Sequence, residues 1–387
     1  MTRLNSYFAL ARDPVFQEQH CLCSSCLCTC ITGSLYPATP PLSPFLLFQC
    51  NVETWFLFCK QLQLHLSYWV LLWLKMWTSC HCMWLSSWGG LFFSVCFSEG
   101  LHYVPYDIPP DTRLLDLQGN YITEIRENDF KGLRNLYALV LVNNMITKIH
   151  PRAFLPLERM QKLYLSHNRL TAVPKNLPVS LVELRIHDNQ IKKVASGTFY
   201  GLTNMNCIEM GRNPIKNSGL EPGAFDGLHL SFLRISEAKL TGIPKDLPYS
   251  LTELHLDQNQ IQAIELEDLL QYGQLFRLGL SYNKIRHIED GSLYYVHSLR
   301  ELHLDNNLLS RVPAGLPEMK HLQVVYLHSN NISSVGVNDF CPRTFGTKKT
   351  FYNGISLFNN PIQYWEVQPA TFRCVSGRNA IQFGNYK

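Results

Sequence analysis

The chain has 387 residues, 17% charged and 46% hydrophobic, with a formal net charge of +4. That is apolar material for one large or two ordinary domains, which excludes a disordered tail protein, and the charge is too near neutral for a strongly basic nucleic-acid binder. The averages join two unlike pieces: residues 1–100 hold ten of the thirteen Cys, six of the seven Trp and eight charged residues, whereas residues 101–387 hold the other 56 charges and only Cys207, Cys341 and Cys374.

The first piece offers no folding pattern. Met1–His20 lacks the apolar core of about 7–15 residues that a signal peptide needs. Leu66–Leu74 and Met83–Ser98 are too short or too broken for a span of about 20 residues, so no membrane span is expected. Leu91–Ser98 is encoded largely by pyrimidine-rich codons, as at the end of a translated intron. Residues 1–98 are therefore expected to be an atypical Cys/Trp-rich segment that is not the native N-terminus.

From residue 101 the chain repeats. Asparagines recur with apolar residues three, five and eight positions before them, as in Leu136, Leu139, Leu141, Asn144 and in Leu299, Leu302, Leu304, Asn307. This is the L-x-x-L-x-L-x-x-N pattern of a leucine-rich repeat. Anchors fall at 120, 144, 168, 189, 213, 238, 259, 283, 307, 330 and 360, with Ala238 alone replacing asparagine. In the short strand of each unit, offsets three and five point to the core, and offsets two, four and six point away. The anchor asparagine is expected to bridge backbone groups at the turn that follows. Val104-Pro105, Val173-Pro174, Ile243-Pro244 and Val312-Pro313 mark a longer period of 69 or 70 residues. Proline suits an extended convex segment better than a helix. The predicted fold is an α/β-type repeat solenoid. It is a leucine-rich-repeat horseshoe with a parallel sheet on the concave face and irregular, 3-10 or polyproline-like convex segments. Repeats are expected over 99–340, and an elongated end unit with a cap over 341–387, because the step from Asn330 to Asn360 is the longest and contains Cys341.

The outward offsets define a readable face. It carries Tyr164; Arg185 and His187; Glu209; Phe232, Arg234 and Ser236; His255 and Asp257; Arg277; His303 and Asp305; Tyr326 and His328. Such positions need not pack the core, so they are free for recognition. Ion pairs within the face, such as Glu183–Arg185, compete with that reading and are worth only about 0–1 kcal/mol each. His255, His303 and His328 tempt a metal reading, but no third ligand is evident. Partial protonation below pH 7 is preferred, and no metal or cofactor is expected. Cys207 reads as a half-buried, unreactive thiol. Catalysis finds no support: there is no phosphate loop, no G-x-S-x-G and no HExxH, so the chain is not read as an enzyme.

Residues 101–387 resemble the class I small leucine-rich proteoglycans through LLDLQGNYITEI, LYALVLVNN, LVELRIHDNQI, RISEAKLTGIPKDLP, NDFCP and WEVQPATFRCV, and through the short-long-long unit rhythm. The resemblance implies a secreted matrix core protein that binds fibrillar collagen, growth factors of the transforming growth factor beta type and other matrix proteins. Self-association through the concave face is a further expectation. It implies a disulfide between Cys341 and Cys374 and a glycan at Asn331 in Asn331-Ile332-Ser333. The family's collagen-contacting repeat corresponds to residues 231–240. Its Arg and acidic residue become Arg234 and Glu237, with Glu for Asp, and Phe232 and Ser236 lie on the same strand. The family's acidic segment for glycosaminoglycan chains has no counterpart here. The competing class is a leucine-rich-repeat ligand binder or innate-immune recognition protein.

Overall fold

Leucines at offsets three and five can leave water only if neighbouring strands stack in register, and the computed structural model of the chain shows that stacking. It describes residues 22–24, 27–29, 83–86, 92–96, 99–343 and 349–383. The chain divides into two units, Met1–Lys75 and Met76–Lys387. In the first, the described residues form one antiparallel pair, Leu22–Ser24 with Leu27–Thr29. The other expectations for residues 1–82 lie outside the described residues.

The second unit is a solenoid built on a 14-stranded sheet. From Phe92–Val95 to Ile381–Gln382 successive strands pair in parallel, and Met83–Ser86 adds antiparallel at one end. The sheet thus starts upstream of residue 99, where the composition changes. Ser94 Oγ lies 2.8 Å from Thr112 Oγ1, and Cys96 N–H donates to Asp116 O at 2.8 Å. Cys96 is fully buried and disulfide-bonded. These residues cover the apolar edge that the first repeat would otherwise expose.

Each coil obeys the offsets. Leu139 and Leu141, Leu184 and Ile186, Leu254 and Leu256, and Leu302 and Leu304 have no exposed surface. Anchor asparagines form a buried ladder. Asn283 Nδ2 donates to Leu256 O at 3.0 Å in the previous coil and to Leu280 O at 3.1 Å in its own, while its Oδ1 accepts from Ile261 N–H at 3.0 Å. At Ala238 the ladder breaks: Ile215 N–H turns instead to Asn213 O at 2.7 Å. The residue before each anchor is left-handed. Gly119 has φ 74°, and His167, Asp188, Arg212, Glu237 and Tyr282 have φ between 51° and 56°. That conformation costs non-glycine residues about 1–2 kcal/mol, so the asparagine bonds offset strain as well as satisfying amides.

The convex wall has short parallel pairs, such as Glu124–Ile125 with Lys148–Ile149, and 3-10 helices, such as Leu266–Asp268 and Ser292–Tyr295. Among the described residues there is no α-helix, and no helix is long and apolar enough to cross a membrane. At the C-terminal end Cys341 and Cys374 are joined by a disulfide. Phe340 packs between Phe372 and Tyr352 at ring distances of 5.7 and 6.1 Å. Arg373 fastens the elongated unit to the cap, donating to Val337 O, Ala370 O, Cys341 O and Pro342 O at 2.8–2.9 Å and to Asn338 Oδ1 at 3.1 Å.

Candidate functional site

Parallel register turns the outward offsets into rows that cross the coils. One row runs Tyr164, Arg185, Glu209, Arg234, His255, Gly279, His303, Tyr326, each residue directly beside the next. A second runs Lys162, Glu183, Cys207, Phe232, Glu253, Arg277, Glu301, Val324. Offset two behaves differently from expectation. Ser166, Ser236 and Asp305 there are 1, 2 and 7% exposed, so these three pack against the turn and do not present their side chains to a ligand, whereas His187, Asp257 and His328 in the same row are half-buried. Ser236 Oγ donates to His255 O at 3.4 Å, and Ser281 Oγ to Asp305 Oδ1 at 2.6 Å.

Most charges on the face are already paired. Arg185 Nη2 lies 2.6 Å from Glu183 Oε1, its Nε is 3.7 Å from Glu209 Oε1, and its guanidinium stands 5.0 Å from the Tyr164 ring. Burial alone would lower the Arg185 pKa, but Glu209 and Glu183 outweigh it and hold the charge firmly. Burial pushes the Tyr164 phenol up. Arg277 bridges Glu301 and Glu253. His255 sits between Glu253 at 3.3 Å and Asp257 at 3.7 Å. Burial would raise the Asp257 pKa, yet His255 and the Ser281 N–H hold its carboxyl below the usual range. Burial lowers the pKa of His187 and of His328, the latter 3.6 Å from Asp305. Burial also pushes the Cys207 thiol up to about 12, reinforced by Glu183 and Glu209, which makes it a poor nucleophile.

Arg234 stands apart. It is exposed, and among the described residues its guanidinium has no ion pair or hydrogen bond. Phe232, half-buried beside it, stacks 5.1 Å from His255. Glu237 lies beyond the end of the strand Phe232–Arg234 that carries Arg234. It occupies the left-handed turn at the rim, with Oε2 2.7 Å from Arg212 Nε. Arg212 in turn reaches Asp188 Oδ1 at 3.5 Å, so the rim forms its own charged line. The sequence pattern did not single out Arg212, His167 or Asp188. The signal was their place, one residue before each anchor.

His255 and His303 flank Gly279, where a side chain would collide with Asp257 Oδ2 at 2.6 Å. Among the described residues none of His255, His303 and His328 belongs to a group of three ligand atoms within 4.8 Å of one another. Asn331 is exposed, as a glycan requires, while Ile332 beside it is buried.

The "Leucine rich repeat" family model matches residues 110–170, 179–240 and 249–309. Biglycan of Mus musculus is 69% identical over 308 residues, covering 80% of this chain and 82% of that protein. Biglycan of Homo sapiens is 68% identical over 308 residues, with the same coverage. Biglycan of Xenopus laevis is 70% identical over 292 residues, 76% of this chain and 79% of that protein. An aligned length of 308 exceeds the stretch from 101 to 387, so the likeness reaches upstream of residue 101.

Proposed function

Because the chain belongs to the biglycan family of small leucine-rich proteoglycans, we propose that the concave face of its solenoid binds fibrillar collagen, with Arg234 as the central contact, and so regulates fibril assembly. Proteins of this family are secreted into the extracellular matrix and are binding proteins, not enzymes. The observation that carries the reading is the contrast between Arg234 and its neighbours. Arg185 and Arg277 are neutralised by Glu183, Glu209 and Glu301, whereas Arg234 is exposed and uncommitted among the described residues. A planar guanidinium with free donors can engage a collagen carboxylate or backbone carbonyls. Phe232 and His255 offer an apolar and aromatic floor beside it. Glu237, held by Arg212, must exchange that partner to reach a collagen Lys or Arg, so it contributes less than Arg234.

Co-sedimentation of the secreted protein with collagen fibrils tests this. A hydrogen bond to a charged group contributes about 1.5–3 kcal/mol, so Arg234→Ala should weaken binding about 10–100-fold. Arg234→Lys should fall between, because it keeps the charge and loses the fork. Arg311→Ala, which removes an exposed pair with Asp290 away from the concave rows, should change nothing. Unchanged binding by Arg234→Ala would sink the assignment. A second occupant, a growth factor of the transforming growth factor beta type, is proposed on the C-terminal rows, where His303 and Tyr326, with ring centroids 4.6 Å apart, offer aromatic side chains beside the Glu253–Arg277–Glu301 ion pairs. Self-association through the same face would then compete with collagen.

A further inference from the structure

We infer that His167, His187 and Asp188 form a binding site for one divalent transition-metal ion of the Zn2+ class at the rim of the concave face. The three donors come from adjacent coils whose backbones are joined at this point. His167 N–H donates to His187 O at 3.0 Å, and Asn168 N–H to Asp188 O at 3.2 Å. His167 and Asp188 both occupy the left-handed position before an anchor asparagine, with φ 56° and 55°, so the buried ladder fixes the directions in which their side chains leave. Asp188 Oδ2 lies 2.7 Å from His187 Nδ1 and 3.5 Å from His167 Nε2. All three ligand atoms fall within 4.8 Å of one another.

Those distances suit the ion. Tetrahedral ligands about 2.0–2.1 Å from zinc stand about 3.3–3.4 Å apart. The edge from His167 to Asp188 already has that span. The edge from His187 opens by about 0.6 Å as the ion replaces the hydrogen bond, a change within reach of side-chain rotation. The second oxygen of the carboxylate faces Arg212 Nη1 at 3.5 Å, and Arg212 is anchored on Glu237 at 2.7 Å, which orients Oδ2 toward the imidazoles. Two imidazoles and one carboxylate match Zn2+, Cu2+ or Ni2+, whereas Ca2+ requires about six to eight oxygens. The His167 side chain is 48% exposed, which leaves an entry path and a fourth position for water.

Calorimetric titration of the full chain with ZnCl2 tests the site, beside His167→Asn and Asp188→Asn, whose side chains tolerate left-handed backbone. The wild type should bind one more equivalent than either variant, or bind it at least about tenfold more tightly. Zn2+ should raise the melting temperature of the wild type above that of both variants. With Co2+ in place of Zn2+, the wild-type-minus-His167→Asn absorption spectrum should show ligand-field bands and no thiolate charge transfer, which separates this site from the N-terminal cysteines. Equal stoichiometry and affinity in wild type and His167→Asn, or thiolate bands in that difference spectrum, would overturn the inference. If Asp188→Asn unfolds through loss of its Arg212 contact, His167→Asn decides alone, since it alters an exposed ring.

Discussion

Replacing Asn283 by Ala isolates the part of the repeat that the leucines do not supply. The side chain is 7% exposed and makes three strong hydrogen bonds to backbone: to Leu256 O, to Leu280 O and from Ile261 N–H. Ala leaves that N–H without its partner and removes one donor from each carbonyl. A buried orphan costs about 1–3 kcal/mol, and each carbonyl less because it has a second lone pair, so the loss is about 2–4 kcal/mol. The left-handed Tyr282 just before it loses its brace at the same time. Urea unfolding followed by circular dichroism should show the midpoint falling with the slope unchanged. The reverse substitution, Ala238→Asn, would offer Ile215 N–H the side-chain acceptor of the ladder in place of Asn213 O and should gain about 0.5–1.5 kcal/mol. A change below about 0.5 kcal/mol in Asn283→Ala would refute the ladder as a source of stability, because substitutions without such a feature fall in that range.

Other consequences can be measured separately. The Cys341–Cys374 bridge closes a separation of 33 residues, which restricts the unfolded chain by about 3–4 kcal/mol. Reductant should therefore speed hydrogen exchange in residues 324–382 before the central residues 183–279, which lie far from both Cys96 and this bridge, and equal exchange in the two would contradict the cap reading. Cys207, with its thiol pushed up to about 12, carries about a thousandfold less thiolate than an ordinary cysteine at neutral pH. Peptide mapping should find it alkylated slowly in the native protein and rapidly in urea, and equal rates would count against burial as the cause. His328 faces Asp305, His303 and Tyr326 and stacks on Phe358, and burial lowers its pKa. The unfolded chain then takes up the proton first as pH falls below about 6.5, so stability is full above that value and is lost as pH drops toward the folded pKa. His328→Gln should flatten the fall of the urea midpoint between about pH 7 and 5, and an unchanged slope would exclude His328 as a contributor.

The repeat was legible because its physics is periodic. Leu184 and Ile186, or Leu302 and Leu304, are placed by alternation across a strand, and that rule holds without exception in the pairs above. The anchors were legible because an asparagine has both the donors and the acceptor that a sharp turn needs. Alternation failed for Ser236 and Asp305. They point away from the leucines, but the turn folds over them, and their burial depends on a backbone bend rather than on a period. Spacing also could not separate Arg234 from Arg185 and Arg277. All three share an outward position; the Glu183–Arg185 pair could be read within one strand, but only the register shows that Glu209 and Glu301 stand where they add to the neutralisation of Arg185 and Arg277. Composition marked the start of the repeats at about residue 99, whereas the sheet extends back through Phe92–Val95. Pairing there runs through backbone groups, to which composition is blind.

The arrangement separates what holds the solenoid from what it can recognise. Offsets three and five and the asparagine fix the coil, so their replacement destabilises neighbours on both sides. Offsets four and six hang on that frame. Ala138, Val140 and Tyr164 are buried there, whereas in the coils from Glu183 to Tyr326 the side chains that carry charge or a ring are not fully buried. A substitution there, such as Arg234→Ala, should change binding while leaving the melt nearly untouched. The rim residue before each anchor is a third class. Its left-handed backbone is imposed by the ladder, yet its side chain is free, and it has become His167, Asp188, Arg212 and Glu237 in four consecutive coils. Those four are linked from one coil to the next by the contacts of Asp188 and Arg212. The collagen contact proposed at Arg234 and the ion site inferred at His167 therefore belong to different rows of the same frame. A rim variant such as His167→Asn can abolish one while sparing the other, because Arg234 shares no hydrogen bond or ion pair with the rim among the described residues.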